Sequence, residues 1–392
     1  MRLSAALAVA AACVDSAFAA DSIVLGFNSG ATDDAGKAKT QQDFEKEFKT
    51  AQSLQGAPGN FTAIRLYSNV QAGTKNTPIA AFPAAIATNT KLLLGIWASG
   101  TVNIDEELNA LTAAMKQYGN RLTDLVIGIS VGSEDLYRVS EPGIKNEAGV
   151  GADAATIVKF IKQTRSKLAS TALASIKVTH VDTWTAWVNS SNSEVIANID
   201  FLAVNAFPFY ESELDNKVGN AGSLLNSALK ATEGVAGGKD VWITETGWAY
   251  SGPAFGSAAA TVDNAGKYWK DVGCALFGKK NVFWYTLRDA NVANKVKFAI
   301  TENLSTKPRY DLSCPVKQEL PPASSATSNS TSSGSPPSSA SSSGVAQASG
   351  TPTRSSVPAA GQTGNAPAGS VSVVKSMAMA LSVVFVVAAF AL

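Results

Sequence analysis

Two glutamates sit where apolar runs end. Glu134 follows the run in DLVIGISVGSEDLY, between Ser133 and Asp135, and Glu245 follows the shorter run in DVWITETGWAY, with Trp248 and Tyr250 close behind. A surface turn tolerates a carboxylate in such a place, whereas cleavage of a glycosidic bond requires it. That reaction needs one acid to protonate the leaving oxygen and one carboxylate to meet an oxocarbenium-like centre. Large rings nearby offer flat apolar faces to the C–H face of a pyranose. Taken singly, each glutamate reads equally well as a helix cap or a turn charge. Asp135 reads as the cap or supporting member of its pair.

The elements that would have to position these groups are visible as short, β-branched apolar runs. They are Ser22–Phe27, Ala63–Tyr67, Leu92–Trp97, Leu125–Ser130, Ile176–Val181, Phe201–Asn205, Val241–Thr244 and Val282–Thr286. The runs are apolar almost throughout instead of alternating, as strands buried on both faces are. Between them the spacing is helical: Phe44, Phe48, Ala51 and Leu54, then Leu108, Leu111, Met115 and Tyr118, then Ile157, Ile161, Thr164 and Leu168. Strands alternating with helices imply a parallel sheet with right-handed crossovers. Eight such repeats in about 300 residues fit a closed (β/α)8 TIM barrel better than an open doubly wound sheet. Asn28-Ser29-Gly30, after the first run, lacks the spacing of a dinucleotide-binding turn.

In such a barrel, catalytic groups collect at the carboxyl ends of the strands. The polar and aromatic residues there are Arg65, Tyr67, Trp97, Asp182, Trp184, Asn205, Phe207, Tyr210 and Trp284, besides the two glutamates. Tyr67, Ser133, Asn205, Tyr210, Trp248 and Trp284 are the candidate substrate-binding residues. Trp184 and Trp187 could extend a cleft after the fifth run. Arg65 lies inside its run, where it either holds Glu245 charged or makes a structural ion pair in the barrel floor. Tyr67 reads equally as a hydrogen bonder to Glu245 and as a core tyrosine. His180, the single histidine, reads as a satisfied core residue.

The ends carry other signals. MRLSAALAVAAACVDSAFAA has a basic start, an apolar stretch and Ala17-Phe18-Ala19, the pattern of a secretory signal peptide over residues 1–19. Residues 20–317 remain as the catalytic domain. Residues 318–365 form a Ser/Thr/Pro-rich stalk, too poor in apolar side chains to offset the entropy of ordering, and so expected to be disordered. Small residues around Asn365, a spacer and the apolar tail Met377–Leu392 read as a GPI-attachment signal, with residues 366–392 removed. Asn365 is the first choice for the lipidated residue and Gly364 the second. The expected location is therefore outside the cell, at the membrane through a GPI lipid and in the cell wall. Removal of the leader leaves Cys274 and Cys314, most simply a disulfide in an oxidising compartment. Two cysteines and one histidine offer no usual zinc shell, so no metal is expected, nor any cofactor. The formal charge of +1 and the lack of a Lys/Arg cluster speak against a nucleic-acid partner. Asn60, Asn189, Asn303 and Asn329 each begin a glycosylation sequon.

The segments AIRLYS, GISVGSED, FLAVNAFPFY and WITETGW together resemble glycoside hydrolase family 17, the β-1,3-glucanases, over nearly the whole folded region. The leader, stalk and tail are similar to those of its fungal cell-wall branch. The resemblance implies a (β/α)8 enzyme that cleaves β-1,3-glucan internally with retention, Glu134 acting as acid/base and Glu245 as nucleophile; nothing in the sequence points to an oligomer, so a monomer is expected. A transglycosylase that passes the sugar to a second glucan, or a wall protein that binds glucan without cleaving it, are the competing readings. Two positions depart from the family pattern: Ser133 stands where many members have Asn, and Ala249 where many have Pro.

Overall fold

The structure is a computed structural model that describes residues 23–290, 294–315 and 318–324. The expected signal peptide, most of the expected stalk, Asn329, Asn365 and the apolar tail lie outside the described residues.

Eight parallel strands close on one another: β1 (Leu25–Ser29), β2 (Ala63–Leu66), β3 (Lys91–Ile96), β4 (Val126–Ser133), β5 (Val178–Thr183), β6 (Leu202–Asn205), β7 (Val241–Thr246) and β8 (Val282–Trp284). Each pairs with its sequence neighbour, and β8 returns to β1 through Gly26 opposite Phe283. This is the (β/α)8 barrel expected from the apolar runs. The periodic segments form the helices Gln41–Gln52, Asp105–Tyr118 and Ala154–Leu168, each laying its apolar stripe on the barrel wall. Local signals start them: Thr40 and Asp43 form a reciprocal capping box, and Asp153 accepts the Thr156 N–H.

Side chains two apart on a strand face the same way. The inward row is therefore apolar at the floor and polar toward the carboxyl mouth. At the floor, Ala63, Leu93, Val181, Phe201, Ala203, Trp242 and Phe283 form a closed plug, with the Phe201 and Trp242 rings 4.2 Å apart. Gly26 makes room for it, since a Cβ there would lie 2.7 Å from the Phe283 ring. Two residues further along, Gly26 is followed by Asn28, Ala63 by Arg65, Ala203 by Asn205 and Trp242 by Thr244. All four polar residues are buried, and they bond to one another or to strand carbonyls.

Behind the barrel, the helix Val262–Tyr268 continues through a π turn, Trp269–Gly273, into Cys274–Leu276. A disulfide joins Cys274 to Cys314 across a Cα separation of 5.3 Å, as expected of an isolated pair. Asn60, Asn189 and Asn303 are exposed. Among the described residues no helix is long and apolar enough to cross a membrane, and no cluster of His, Cys, Asp and Glu is arranged to hold a metal.

Candidate active site

Three of the four strand pairings from β4 to β8 shift register near their carboxyl ends. The shifts fall between Ser130 and Ser133 against β5, between Val204 and Asn205 against β7, and between Ile243 and Thr246 against β8. An irregular ladder re-aims side chains that strict alternation would turn outward. Thr244 already faces inward, so regular pairing would turn Glu245 away. With the shift, its carboxylate reaches across the mouth to β2.

There it meets two donors on one oxygen. Arg65 Nη1 lies 2.5 Å and the Tyr67 hydroxyl 2.7 Å from Glu245 Oε1. Arg65 is itself fixed by the Asn28 Oδ1 at 3.0 Å and the Ser133 Oγ at 2.8 Å, and its guanidinium lies over the Tyr67 ring. Charge-assisted bonds of this kind favour the anion of the group that accepts them.

Glu134 is placed differently. It follows β4 in a left-handed conformation, φ 60°, rare for a residue with a side chain and costing about 1–3 kcal/mol unless its surroundings enforce it. The surroundings do: its N–H donates to Val181 O at 2.8 Å and its carbonyl accepts Arg138 N at 3.0 Å. Gly132, two residues earlier, has φ 82°, and a Cβ there would come within 2.3 Å of Asp135 Oδ2. Gly132→Ala is thus expected to cost about 1–3 kcal/mol in chemical denaturation, and to lower activity by displacing the turn.

Glu134 is 6 % exposed, and its carboxyl takes one short hydrogen bond, from Asn205 Nδ2 at 2.9 Å. Arg138 stays 3.9 Å away, occupied with the Ser133 carbonyl, Ser99 and the Ala148 carbonyl. Burial, then the negative charge of Glu245, push the Glu134 carboxyl up to about 7, against the pull of Arg138 and Asn205. The two glutamates are therefore close enough to sense each other and are held in unlike environments.

The other candidates divide. Tyr67 and Asn205 hold the two glutamates directly, Tyr67 at Glu245 and Asn205 at Glu134. Arg65 is the partner of Glu245, and Ser133 accepts from Arg65. Asp135 supports the turn by accepting Ser99 Oγ and the Ser133 N–H. Tyr210 is half-buried at the mouth, edge-on to Phe207, Phe209 and Phe255.

Trp248 and Trp284 do not serve as platforms. Both rings are 1 % exposed. Phe283 fills the floor, so its neighbour Trp284 turns outward and packs on Trp269, Tyr268 and Phe277. The Trp248 ring is pinned between Phe209 and Tyr268 by the bond from its Nε1 to Ala259 O. The half-buried rings left at this end include Trp97, Trp184, Tyr210 and Tyr285. Tyr285 lies near Glu245, whose charge adds to burial in raising the phenol. Trp184 donates to Glu211. Asn28 and Arg138 escaped the sequence reading. Asn28 could have been found by its place two residues beyond an inward glycine, whereas Arg138 belongs to a turn that no periodicity marks.

A closed (β/α)8 barrel with two unlike glutamates at its carboxyl mouth has the layout of a two-carboxylate glycoside hydrolase. Residues 26–302 match the model of the BtgE/BtgC glycoside hydrolase domain, and the chain belongs to that family. It is 50 % identical over 305 residues to "Probable glucan endo-1,3-beta-glucosidase eglC" of Aspergillus oryzae, covering 77 % of this chain and 65 % of that one. The Aspergillus fumigatus protein of the same name is 50 % identical over 291 residues, covering 74 % and 65 %. The chain thus spans somewhat less than two thirds of the length of these relatives. Among solved structures, the glycoside hydrolase family 17 beta-1,3-glucanosyltransferase of Rhizomucor miehei superposes with a TM-score of 0.57 at 24 % identity, covering 74 % of this chain and 98 % of that one. The beta-1,3-glucanase CJP38 of Cryptomeria japonica pollen gives 0.53 at 16 %, covering 76 % and 100 %. Both likenesses speak for the fold.

Proposed function

We propose that the protein is an endo-acting β-1,3-glucan hydrolase working with retention of anomeric configuration. The observation that carries this reading is the unlike treatment of the two glutamates: Glu245 under Arg65 and Tyr67, and Glu134 buried with its carboxyl raised to about 7. The names of the Aspergillus relatives support the choice of β-1,3-glucan.

In the first step the Glu245 carboxylate attacks the anomeric carbon, and Glu134 gives its proton to the departing glycosidic oxygen. In the second, Glu134, now ionised, removes a proton from water, and the water oxygen displaces Glu245. Tyr67 and Arg65 share Oε1, which orients the other oxygen, Oε2, as the attacking atom. Asn205, itself held by Thr244 Oγ1 at 2.9 Å, aims the acid.

Because protonated Glu134 is the working form, kcat/KM on glucan is expected to fall as pH rises through about 7. A rate profile over that range checks it, and Asn205→Ala should move the limb upward by removing a bond that favours the anion. The Cys274–Cys314 disulfide supports an oxidising, extracytoplasmic location for the domain.

Product analysis on a linear β-1,3-linked glucose oligomer tests the reading. Shorter products alone are expected. Products longer than the substrate would assign the second step to an acceptor sugar, and binding without cleavage would overturn the reading.

A further inference from the structure

We propose that His180 is a permanent imidazolium and a positioning residue for Glu134, holding Asp182 as the carboxylate from which the Glu134 turn is suspended. The proposal rests on Glu134 being the acid of the reaction above.

Hydrogen-bond polarity fixes where the protons on His180 lie. His180 is fully buried on β5, and both its ring nitrogens face acceptors. Nδ1 lies 2.6 Å from the Val131 carbonyl oxygen, which has no proton to give, so Nδ1 must carry one. Nε2 lies 2.8 Å from Asp182 Oδ2. A neutral imidazole offers one donor and one acceptor. The second contact therefore needs a proton on Nε2 or a protonated Asp182.

The other partners of Asp182 decide between these. Its Oδ2 accepts Leu136 N–H at 2.9 Å, and its Oδ1 accepts Thr183 N–H at 2.8 Å and Tyr137 N–H at 3.3 Å. A carboxyl group taking three backbone donors is stabilised as the anion. The proton therefore belongs on Nε2, and the ring is a cation.

The charges around the ring agree. Asp182 faces it from its own strand, and Asp135 comes from the turn after β4. Arg138 and Glu134 complete the charged groups of that turn, and the Trp187 ring meets the imidazole edge-on at 5.7 Å. Burial alone would push the imidazole down, but Asp182, Asp135 and the Val131 carbonyl outweigh it and hold it above its ordinary value.

The consequence reaches Glu134 through the backbone. Leu136 and Tyr137 open the short helix Asp135–Arg138, which begins directly after Glu134. With both N–H groups fixed on Asp182, and Asp182 fixed by a charged ring, Glu134 keeps its left-handed backbone and its approach to Asn205. A neutral ring would leave Asp182 either a buried anion without its counter-charge or a protonated group that accepts the turn weakly.

His180 is the only histidine in the chain, so its ring can be read directly. In the full protein labelled with 15N-histidine, both ring nitrogens are expected to be protonated across about pH 5–8, with no titration near the usual value of about 6.5. In Asp182→Asn the ring should lose its Nε2 proton. With that variant, kcat/KM on the β-1,3-linked oligomer should fall about 10²-fold, while on 2,4-dinitrophenyl β-laminaribioside, whose leaving group needs no proton, it should stay within about threefold.

A ring carrying one proton in the unaltered protein would overturn the proposal, as would equal losses on the two substrates in a folded variant. If Asp182→Asn does not fold, the resonances of the unaltered protein decide alone. An imidazolium in a protein that cleaves no β-1,3-glucan would refute the hydrolase reading and leave the charge of the ring standing.

Discussion

Glu245→Gln is expected to lower turnover of β-1,3-glucan by more than about 10³-fold, because an amide cannot form the ester to the anomeric carbon. The substitution is nearly isosteric, and its carbonyl oxygen can still accept from Arg65 and Tyr67, which bond the native oxygen at 2.5 and 2.7 Å. Substrate binding and the melting temperature should therefore change little, separating loss of chemistry from loss of fold. A second variant identifies the lost step. In Glu245→Ala, added azide should attack an activated aryl β-glycoside at the vacated face, expelling the phenolate and giving an α-glycosyl azide. In Glu134→Ala, the glycosyl–Glu245 ester should still form, and azide should then displace Glu245 to give the β-azide. The same azide configuration from both variants would contradict the assigned roles.

Arg65→Met should be nearly as damaging, for an electrostatic reason. Arg65 is 1 % exposed and bonds Glu245, Asn28 and Ser133 together, joining β2 to β7, β1 and the end of β4. Glu245 is itself only 4 % exposed, and without Arg65 it keeps the Tyr67 hydroxyl as donor at Oε1. Breaking a buried pair by deleting one partner costs about 3–5 kcal/mol, and Glu245 loses the charged donor that fixes Oε1 and so aims Oε2 at the anomeric carbon. kcat should therefore fall at least about 10²-fold, with a lower unfolding midpoint in urea. Arg65→Lys keeps the charge, but a single ammonium cannot span three acceptors in the plane that the guanidinium occupies. It should lie between the two in both readouts. If Arg65→Met were as active as the unaltered protein, Arg65 would be a structural tie only.

Much of this barrel could be read from its apolar runs, because a strand buried on both faces has little choice of composition. Each of the eight runs overlaps a strand, and both glutamates lie where the strand ends placed them. What the runs could not reveal is how far the strands extend. β4 continues to Ser133, β5 to Thr183 and β7 to Thr246, through polar residues that a composition argument assigns to loops. Those residues remain in the ladder because their polar groups find partners there, as Ser133 does with Arg65 and Thr246 with the Tyr268 hydroxyl. The register shifts that aim Glu245 inward leave no trace in residue type. Trp248 and Trp284 were misread for a related reason. A ring after a strand can face the cleft or the layer behind it, and the identity of Phe283 as a floor residue decides for Trp284. That decision needs the closed barrel. His180 was correctly read as a buried, satisfied residue, yet its charge follows only from the acceptors on both sides of the ring.

Glu245 and Glu134 act from opposite faces of the sugar, Glu245 on the α face and Glu134 on the β face, and the configuration of the first product tests this most directly. Time-resolved proton NMR of a linear β-1,3-linked glucose oligomer, reduced at its own end and treated with the enzyme, reports the anomer released before mutarotation. The proposed double displacement predicts that the β-anomer appears first and the α-anomer only later, at the rate of spontaneous exchange. Initial release of the α-anomer would mean a single displacement by water, and would contradict the assignment of Glu245 as nucleophile.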